Sequence, residues 1–195
     1  MSTPRIEKLR HDPEPQFVYE RWGPCGRPIM LLNDPERDRS AWWPVAAALA
    51  DHHAVMVLDL PEGPGPEALA EDLALLIHQT GTRAPVLVGH ASAALVASVF
   101  ALRYVAHAVV NVQQRLDLPA GDAELDRALR AITEGPKPIQ SPYLSVFATE
   151  PEPGYAAWLG QRVPKSRCEA YETPGGHPHL EVMGRFVTHV REMAA

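Results

Sequence analysis

The sequence predicts an α/β protein: a three-layer α/β/α sandwich built on a mostly parallel, twisted sheet. Short apolar, β-branched runs alternate with longer segments of helical periodicity, which is typical of a parallel sheet covered by helices. The chain has 195 residues, about the size of one large α/β domain and too few for two with a linker. Hydrophobic residues make up 46 % and charged residues 22 %, so we expect a folded globular protein.

The domain is expected to span residues 16–195. Residues 1–15 are polar and contain three prolines, which predicts a loose N-terminal arm.

The strands are predicted from short apolar runs bounded by turn residues. IMLL at 29–32 and AVMVL at 54–58 are the first two, and VLV near position 87 is the third. The full set of predicted strands is 29–32, 54–58, 85–88, 106–112, 143–148 and 167–171.

The helices are predicted from apolar stripes together with start signals. Ser40 is a plausible N-cap for the first helix, and Pro66 suits the first turn of the second. In that second helix one stripe contains Leu69, Leu73 and Leu76. The predicted helices are 41–50, 67–79, 92–102, 122–132, 154–159 and 180–193.

Charge and composition exclude several classes of partner. A formal net charge of −6 argues against a nucleic-acid binder, which needs clustered basic residues. The N-terminus lacks an apolar signal core and no stretch has the length of a membrane span, so we expect a cytoplasmic protein without a membrane partner. Cys25 and Cys168 match no metal-ligand spacing and are expected to be free thiols. No cofactor is expected.

The sharpest predicted turn lies at VLVGHASAA, residues 86–94, where a strand passes almost directly into a small-residue helix. Such a turn holds one side chain in strained backbone geometry at the carboxyl edge of the sheet. It requires small residues on either side so that neighbouring backbone can approach. Gly89 and Ala93 meet this requirement around Ala91.

In the order of its landmarks the chain resembles the α/β-hydrolase superfamily from about residue 16 to the end. The segments that carry the resemblance are LLND at 31–34, Trp42 and Trp43, VLDLP at 57–61, VGH at 88–90 and GGHPHLE at 175–181. By this resemblance VGH belongs to the nucleophile elbow and GGHPHLE to the loop of the catalytic histidine. The resemblance also implies a helical cap, here reduced to the predicted helix 122–132.

The nucleophile and the oxyanion hole depart from the family pattern. The nucleophile position is Ala91, whose methyl group cannot attack a carbonyl. Ser92 is one residue too far along, and His90 beside it is not a small residue. The family's oxyanion donor matches Asn33 and Asp34 followed by Pro35, and proline has no N–H. A lost donor would remove roughly 3 kcal/mol of transition-state stabilisation.

The acid of the triad also departs from the pattern, since no Asp follows the predicted strand 143–148. Glu150 and Glu152 follow it instead, and Glu152 fits the spacing better, although either also suits a solvated loop. His177 is the best candidate for a general acid/base, because a histidine in a glycine-rich loop can reach the elbow and titrates near neutrality. The short loop could shift that role to His179; the two histidines lack a third metal ligand.

The pocket is expected to be shallow or open, because the reduced cap leaves little to cover it. Its predicted lining and oxyanion residues are Asn33, Asp34, His90, Ser92 and Trp42, although Trp42 equally suits helix packing. The expected partner is a small molecule, with a homodimer or another partner covering the open site.

Three functions are compatible with these residues. The favoured one is a non-hydrolytic enzyme in which His177, oriented by Glu152, is the general acid/base for elimination, dehydration or cyclisation of a small carbonyl compound. The alternatives are a serine esterase whose nucleophile has been replaced by Ala91, and a non-catalytic protein that binds a small molecule or another protein.

Overall fold

The computed structural model describes residues 5–8, 17–34 and 37–195. Eight strands form its centre: β1 (Arg5–Lys8), β2 (Val18–Trp22), β3 (Pro28–Asn33), β4 (Ala54–Asp59), β5 (Val86–His90), β6 (Ala108–Val112), β7 (Tyr143–Phe147) and β8 (Ser166–Ala170). They make one sheet in the order β1-β2-β4-β3-β5-β6-β7-β8. The pairs β1–β2 and β2–β4 are antiparallel, and the remaining pairs are parallel.

Helices cover both faces of the sheet, which confirms the predicted sandwich. The helices are α1 (Trp43–Leu49), α2 (Pro66–Gln79), α3 (Ser92–Arg103), α4 (Ala123–Glu134), α5 (Tyr155–Arg162), α6 (Pro178–Glu181) and α7 (Met183–Met193), with a 3-10 helix at Arg39–Trp42 before α1. None of the helices in the described residues is long and apolar enough to cross a bilayer.

Two apolar cores lie on opposite faces of the sheet. Met30 and Leu32 of β3 belong to the core under α2, α3, α4 and α5, whereas Ile29 and Leu31 belong to the core under α1 and α7. The alternation follows from the pleat of a strand, in which successive side chains point to opposite faces. Because helices cover both faces, strands such as β3 are apolar at nearly every position.

The N-terminal region differs from the sequence-based expectation. Residues 5–8, within the segment expected to be a loose arm, form β1 and pair with β2. The rest of that segment lies outside the described residues. Strand β2 is also absent from the predicted set, because it carries a charged residue, Glu20, at a buried position.

Two predicted helices are each divided in the structure. The expected helix 41–50 consists of the 3-10 helix and α1, and its cap is Asp38, whose side chain accepts a hydrogen bond from the Ser40 amide at 2.8 Å. The expected helix 180–193 consists of α6 and α7. They are separated at Val182, where φ is −124° and ψ is 49°, outside the helical region.

The segment between β6 and β7, where a reduced cap is expected, forms one helix, α4. Asp122 caps this helix by accepting hydrogen bonds from the amides of Glu124 and Leu125 at 2.9 and 3.1 Å. The carboxyl ends of β3, β4 and β5 meet at the same edge of the sheet, on which ligand sites of open α/β sheets lie.

Candidate functional site

The elbow at position 91 has the backbone geometry that the sequence predicts. Ala91 has φ of 49° and ψ of −127°, a conformation that residues with a side chain rarely adopt. Its N–H donates to the carbonyl oxygen of Val112 at 2.9 Å, which ties the turn to β6. At Gly89 a Cβ would lie 2.6 Å from backbone atoms of Ala93 and Ala94. The turn therefore requires glycine at 89.

Three histidine rings pack together beside the elbow. The ring centroid of His90 lies 5.6 Å from that of His177, with the two planes 24° apart, and 5.0 Å from that of His179. The other side of His179 packs on Trp42, with 4.6 Å between ring centroids, and on Phe186. The elbow is thus joined through histidine rings to the core under α1 and α7.

Burial keeps two of these rings neutral. His90 is 8 % and His179 is 3 % exposed. Loss of solvation is the main reason that the pKa of His90 falls to about 4 and that of His179 to about 3, and the positive charge of Arg37 lowers both pKa values further. The Nδ1 atoms of both rings are buried without a hydrogen-bond partner among the described residues. These two rings therefore favour packing over proton transfer near neutral pH.

The loop of His177 is held by a carboxylate that the sequence pattern does not single out. Glu181 accepts hydrogen bonds from the backbone N–H groups of Gly175 and His177 at 3.0 and 2.9 Å. The side chain of Gln113 donates to the Gly176 carbonyl oxygen at 3.1 Å. His177 Nδ1 lies 2.7 Å from the Gly175 carbonyl oxygen. Since a carbonyl oxygen only accepts, Nδ1 carries the proton and Nε2 of the neutral ring is an acceptor.

Glu152 lies in a different setting from the one expected for a partner of His177. Its side chain is 78 % exposed and its carboxylate lies 3.5 Å from Nη1 of Arg115. The group that bonds the His177 ring is the backbone carbonyl of Gly175. Glu152 follows β7 as the sequence indicates, but the ion pair directs its carboxylate toward Arg115.

A cavity of about 540 Å³ opens beside the elbow. Asp34 and Ser92 lie in its wall, and Ser92 Oγ donates to Asp34 Oδ2 at 3.4 Å. The proline- and glycine-rich segment 60–66 forms one side, and the start of α4 forms another. Asp34 is 9 % exposed, so its carboxylate is largely desolvated. Of the residues expected to line the pocket, the structure brings together Asp34 and Ser92.

The other three expected pocket residues are not among the described residues that line this cavity, a correction to the expectation. Asn33 is buried, and its carboxamide donates hydrogen bonds to the Arg37 carbonyl oxygen and to the Asp59 carboxylate. His90 and Trp42 are buried in the histidine stack. Successive side chains of a strand point to opposite faces of the sheet, so the side chain of His90 points to the face opposite to that of the positions next to it.

Two further expectations concern the oxyanion hole and metal binding. Pro35, which the sequence places at the oxyanion donor position, lies outside the described residues. Within the described part of the chain, no group of three His, Cys, Asp or Glu side chains is arranged to hold a metal ion.

Solved structures similar to this chain were found at low sequence identity. Carboxylesterase CesB from Bacillus subtilis has a TM-score of 0.77 and 14 % identity, covering 98 % of this chain and 92 % of its own. A Burkholderia cenocepacia protein described as an aryl esterase has a TM-score of 0.76 and 19 % identity, and the match covers 97 % of this chain and 99 % of that protein's chain. A Pseudomonas aeruginosa protein described as an epoxide hydrolase has a TM-score of 0.72 and 17 % identity, and the match covers 98 % of each chain.

No protein-family model matches the sequence, and no curated protein is similar enough to count as a relative. The similarity therefore lies in the backbone, which in this chain has the strand order given above, a strained elbow after β5 and a histidine loop after β8. These features and the similar structures show that the chain has the α/β-hydrolase fold.

Proposed function

We propose that the protein binds a small neutral or cationic molecule in the cavity beside the elbow and performs no acyl transfer at position 91. The observation that carries the proposal is the composition of the cavity wall. It contains a hydrogen-bonded carboxylate and hydroxyl, those of Asp34 and Ser92, while Ala91 and His177 are not among its described residues. A concave site with a few converging polar groups is the usual form of a small-molecule site.

The chemistry of the elbow supports binding over acyl transfer. A methyl group at position 91 offers no lone pair, so no acyl-enzyme can form there. The strained conformation of Ala91 costs about 1–3 kcal/mol, yet it directs the start of α3, and with it Ser92, toward the cavity. In this proposal the elbow positions a ligand-binding hydroxyl rather than a nucleophile.

Charge limits the ligands that the cavity accepts. Its wall includes the carboxylates of Asp34, Glu62, Asp122 and Glu124, and no Lys or Arg is found among its described lining residues. An anionic ligand would be repelled by these groups and would leave the largely buried Asp34 facing a like charge. A neutral or cationic ligand can donate one hydrogen bond to the Asp34 carboxylate and another to the Ser92 oxygen, whose own proton is donated to Asp34.

The proposal is tested with phenethylamine and 3-phenylpropionate, two probes of similar shape and opposite charge. Titration followed by amide chemical shifts should show that the amine perturbs the Ser92 amide and binds at least about tenfold more tightly than the carboxylate, as expected when ligand charge interacts with Asp34. Asp34→Asn should remove most of this preference. Asp51→Asn, at an exposed residue outside the cavity, should leave it unchanged. Equal binding of both probes, or binding that leaves the Ser92 amide unmoved, would contradict the proposal.

A second function is favoured by the tautomer of His177. Its Nδ1–H donates to Gly175, so Nε2 can accept a proton from a carbonyl compound and return it, as a general base does. Such chemistry needs no nucleophile at position 91. In this alternative the carbonyl compound would undergo elimination, dehydration or cyclisation.

The general-base function is distinguished from binding by proton exchange. It predicts that the α-protons of 4-phenyl-2-butanone exchange with deuterated water at least about a hundredfold faster than in buffer alone, measured by proton NMR. His177→Gln should abolish the excess rate, whereas His107→Gln, far along the chain from this loop, should not. An exchange rate equal to that of buffer would reject this function for such ketones and leave the binding function.

A further inference from the structure

A partly buried ion-pair network lies at the carboxyl edge of the sheet, outside the cavity wall. Arg39 Nε donates to Glu20 Oε1 at 2.7 Å, and Arg39 Nη1 donates to Asp59 Oδ2. Glu20 is on β2 and Asp59 ends β4, so one guanidinium joins two strands to the 3-10 helix. None of the three side chains is among the described residues that line the cavity.

The burial of Glu20 indicates that this network has a specific role. Its side chain is 2 % exposed, and Oε2 has no hydrogen-bond partner among the described residues. Burying a carboxylate is costly unless it is paired, and an apolar residue would fill the same position on a strand at a lower free-energy cost. Fixed geometry is one of the attested uses of a buried ion pair.

Asn33 connects the network to the cavity. Its carboxamide donates to Asp59 Oδ1 at 3.3 Å and to the Arg37 carbonyl oxygen at 2.6 Å. Asp34 follows in the chain, and the Arg37 amide donates to the Asp34 carbonyl oxygen at 3.0 Å. The turn that carries Asp34 is thus held to Asp59 on one side through Asn33 and on the other through Arg39.

We propose that Arg39 is a positioning residue that holds the Asp34 turn against the cavity by clamping Asp59 to the buried Glu20. Arg39 itself does not contact the ligand. Its planar guanidinium bonds two carboxylates at once, which the ammonium of lysine cannot do with the same geometry. The ligand-binding consequence rests on the proposed function, whereas the position of the turn does not.

The test is hydrogen–deuterium exchange of the Arg37 amide in the full chain, followed by NMR. Arg39→Met should speed this exchange at least about tenfold relative to wild type, because the bond to the Asp34 carbonyl opens locally when the clamp is lost. The Ser92 amide shift should move as well. Arg39→Lys should give an intermediate rate.

The matched control is Arg103→Met. Arg103 also joins two carboxylates, Glu67 and Glu71, at 2.9 and 3.0 Å, but it links α2 to α3. This variant should leave Arg37 exchange unchanged. If Arg39→Met fails to fold because Glu20 is left as an unpaired buried charge, the double variant Glu20→Gln/Arg39→Met removes that charge and gives the same readout.

The inference is overturned if Arg37 exchanges at the wild-type rate in the folded Arg39 variant. It is also overturned if hydrogen exchange of the Val88 amide in β5 accelerates by the same factor, since the destabilisation would then affect the whole protein. Phenethylamine gives a separate readout, with binding weakened at least about fivefold in Arg39→Met. If the amine fails to bind the wild-type protein, the proposed function fails, and Arg37 exchange still decides the role of Arg39.

Discussion

Lowering the pH from about 6.5 to about 4 is expected to destabilise the protein by at least about 3 kcal/mol through its buried histidines. His90 and His179 have folded-state pKa values of about 4 and about 3, mainly because burial disfavours the charged rings. In the unfolded chain both return to about 6.5. Between these values the unfolded state binds more protons, so the stability is fully present above about pH 6.5 and is lost as the pH falls.

Chemical denaturation at a series of pH values between about 6.5 and about 4 measures this loss. His179→Phe should flatten the pH dependence, because a phenylalanine can fill the space between Trp42 and Phe186 without titrating. His78→Gln, at an exposed position of α2, should keep the wild-type slope. Both variants retain all the carboxylates that titrate in the same pH range, so the difference between their slopes reports the contribution of His179. The side chains that act electrostatically on the stack, Arg37, Asp34 and His177, remain in both variants. An unchanged slope in His179→Phe would contradict the neutral-histidine account.

Substitution of Gly89 by alanine is expected to cost at least about 3 kcal/mol or to prevent folding. The new Cβ would lie 2.6 Å from the carbonyl of Ala93 and the amide nitrogen of Ala94, which are backbone atoms of α3 and cannot rotate away. The strand is also paired on both sides, to β3 and to β6, so it cannot shift sideways. Thermal and denaturant unfolding measure the change.

Two control substitutions should raise the free energy of unfolding instead of lowering it. Gly160 lies in α5, and a Cβ added there would meet nothing within 4 Å, so Gly160→Ala should stabilise by about 0.5–1 kcal/mol through helix propensity. Ala91→Gly should stabilise by up to about 1 kcal/mol, because glycine adopts φ of 49° without strain. Destabilisation by Ala91→Gly would mean that the elbow is not strained, and a tolerated Gly89→Ala would mean that α3 can move.

Much of the parallel part of the fold follows from the sequence, because β3, β4, β5 and β6 are apolar runs that need burial on both faces. The elbow follows as well, since VLVGHASAA places small residues at the positions where backbone must approach backbone. The missed strand, β2, shows the limit of this reasoning. Its Glu20 is acceptable in the sheet only because Arg39, nineteen residues away, pairs with it.

The site residues divide in the same way. By itself the sequence determined that position 91 carries a methyl group, that Ser92 and Asp34 lie at the carboxyl edge of the sheet and that His177 lies in a glycine-rich loop. Only the tertiary structure decided that Asp34 meets Ser92, that His90 and His179 are buried in a ring stack, and that Glu152 pairs with Arg115. Residue types and strand order are local properties, whereas these contacts depend on loop conformations that bring together groups tens of residues apart.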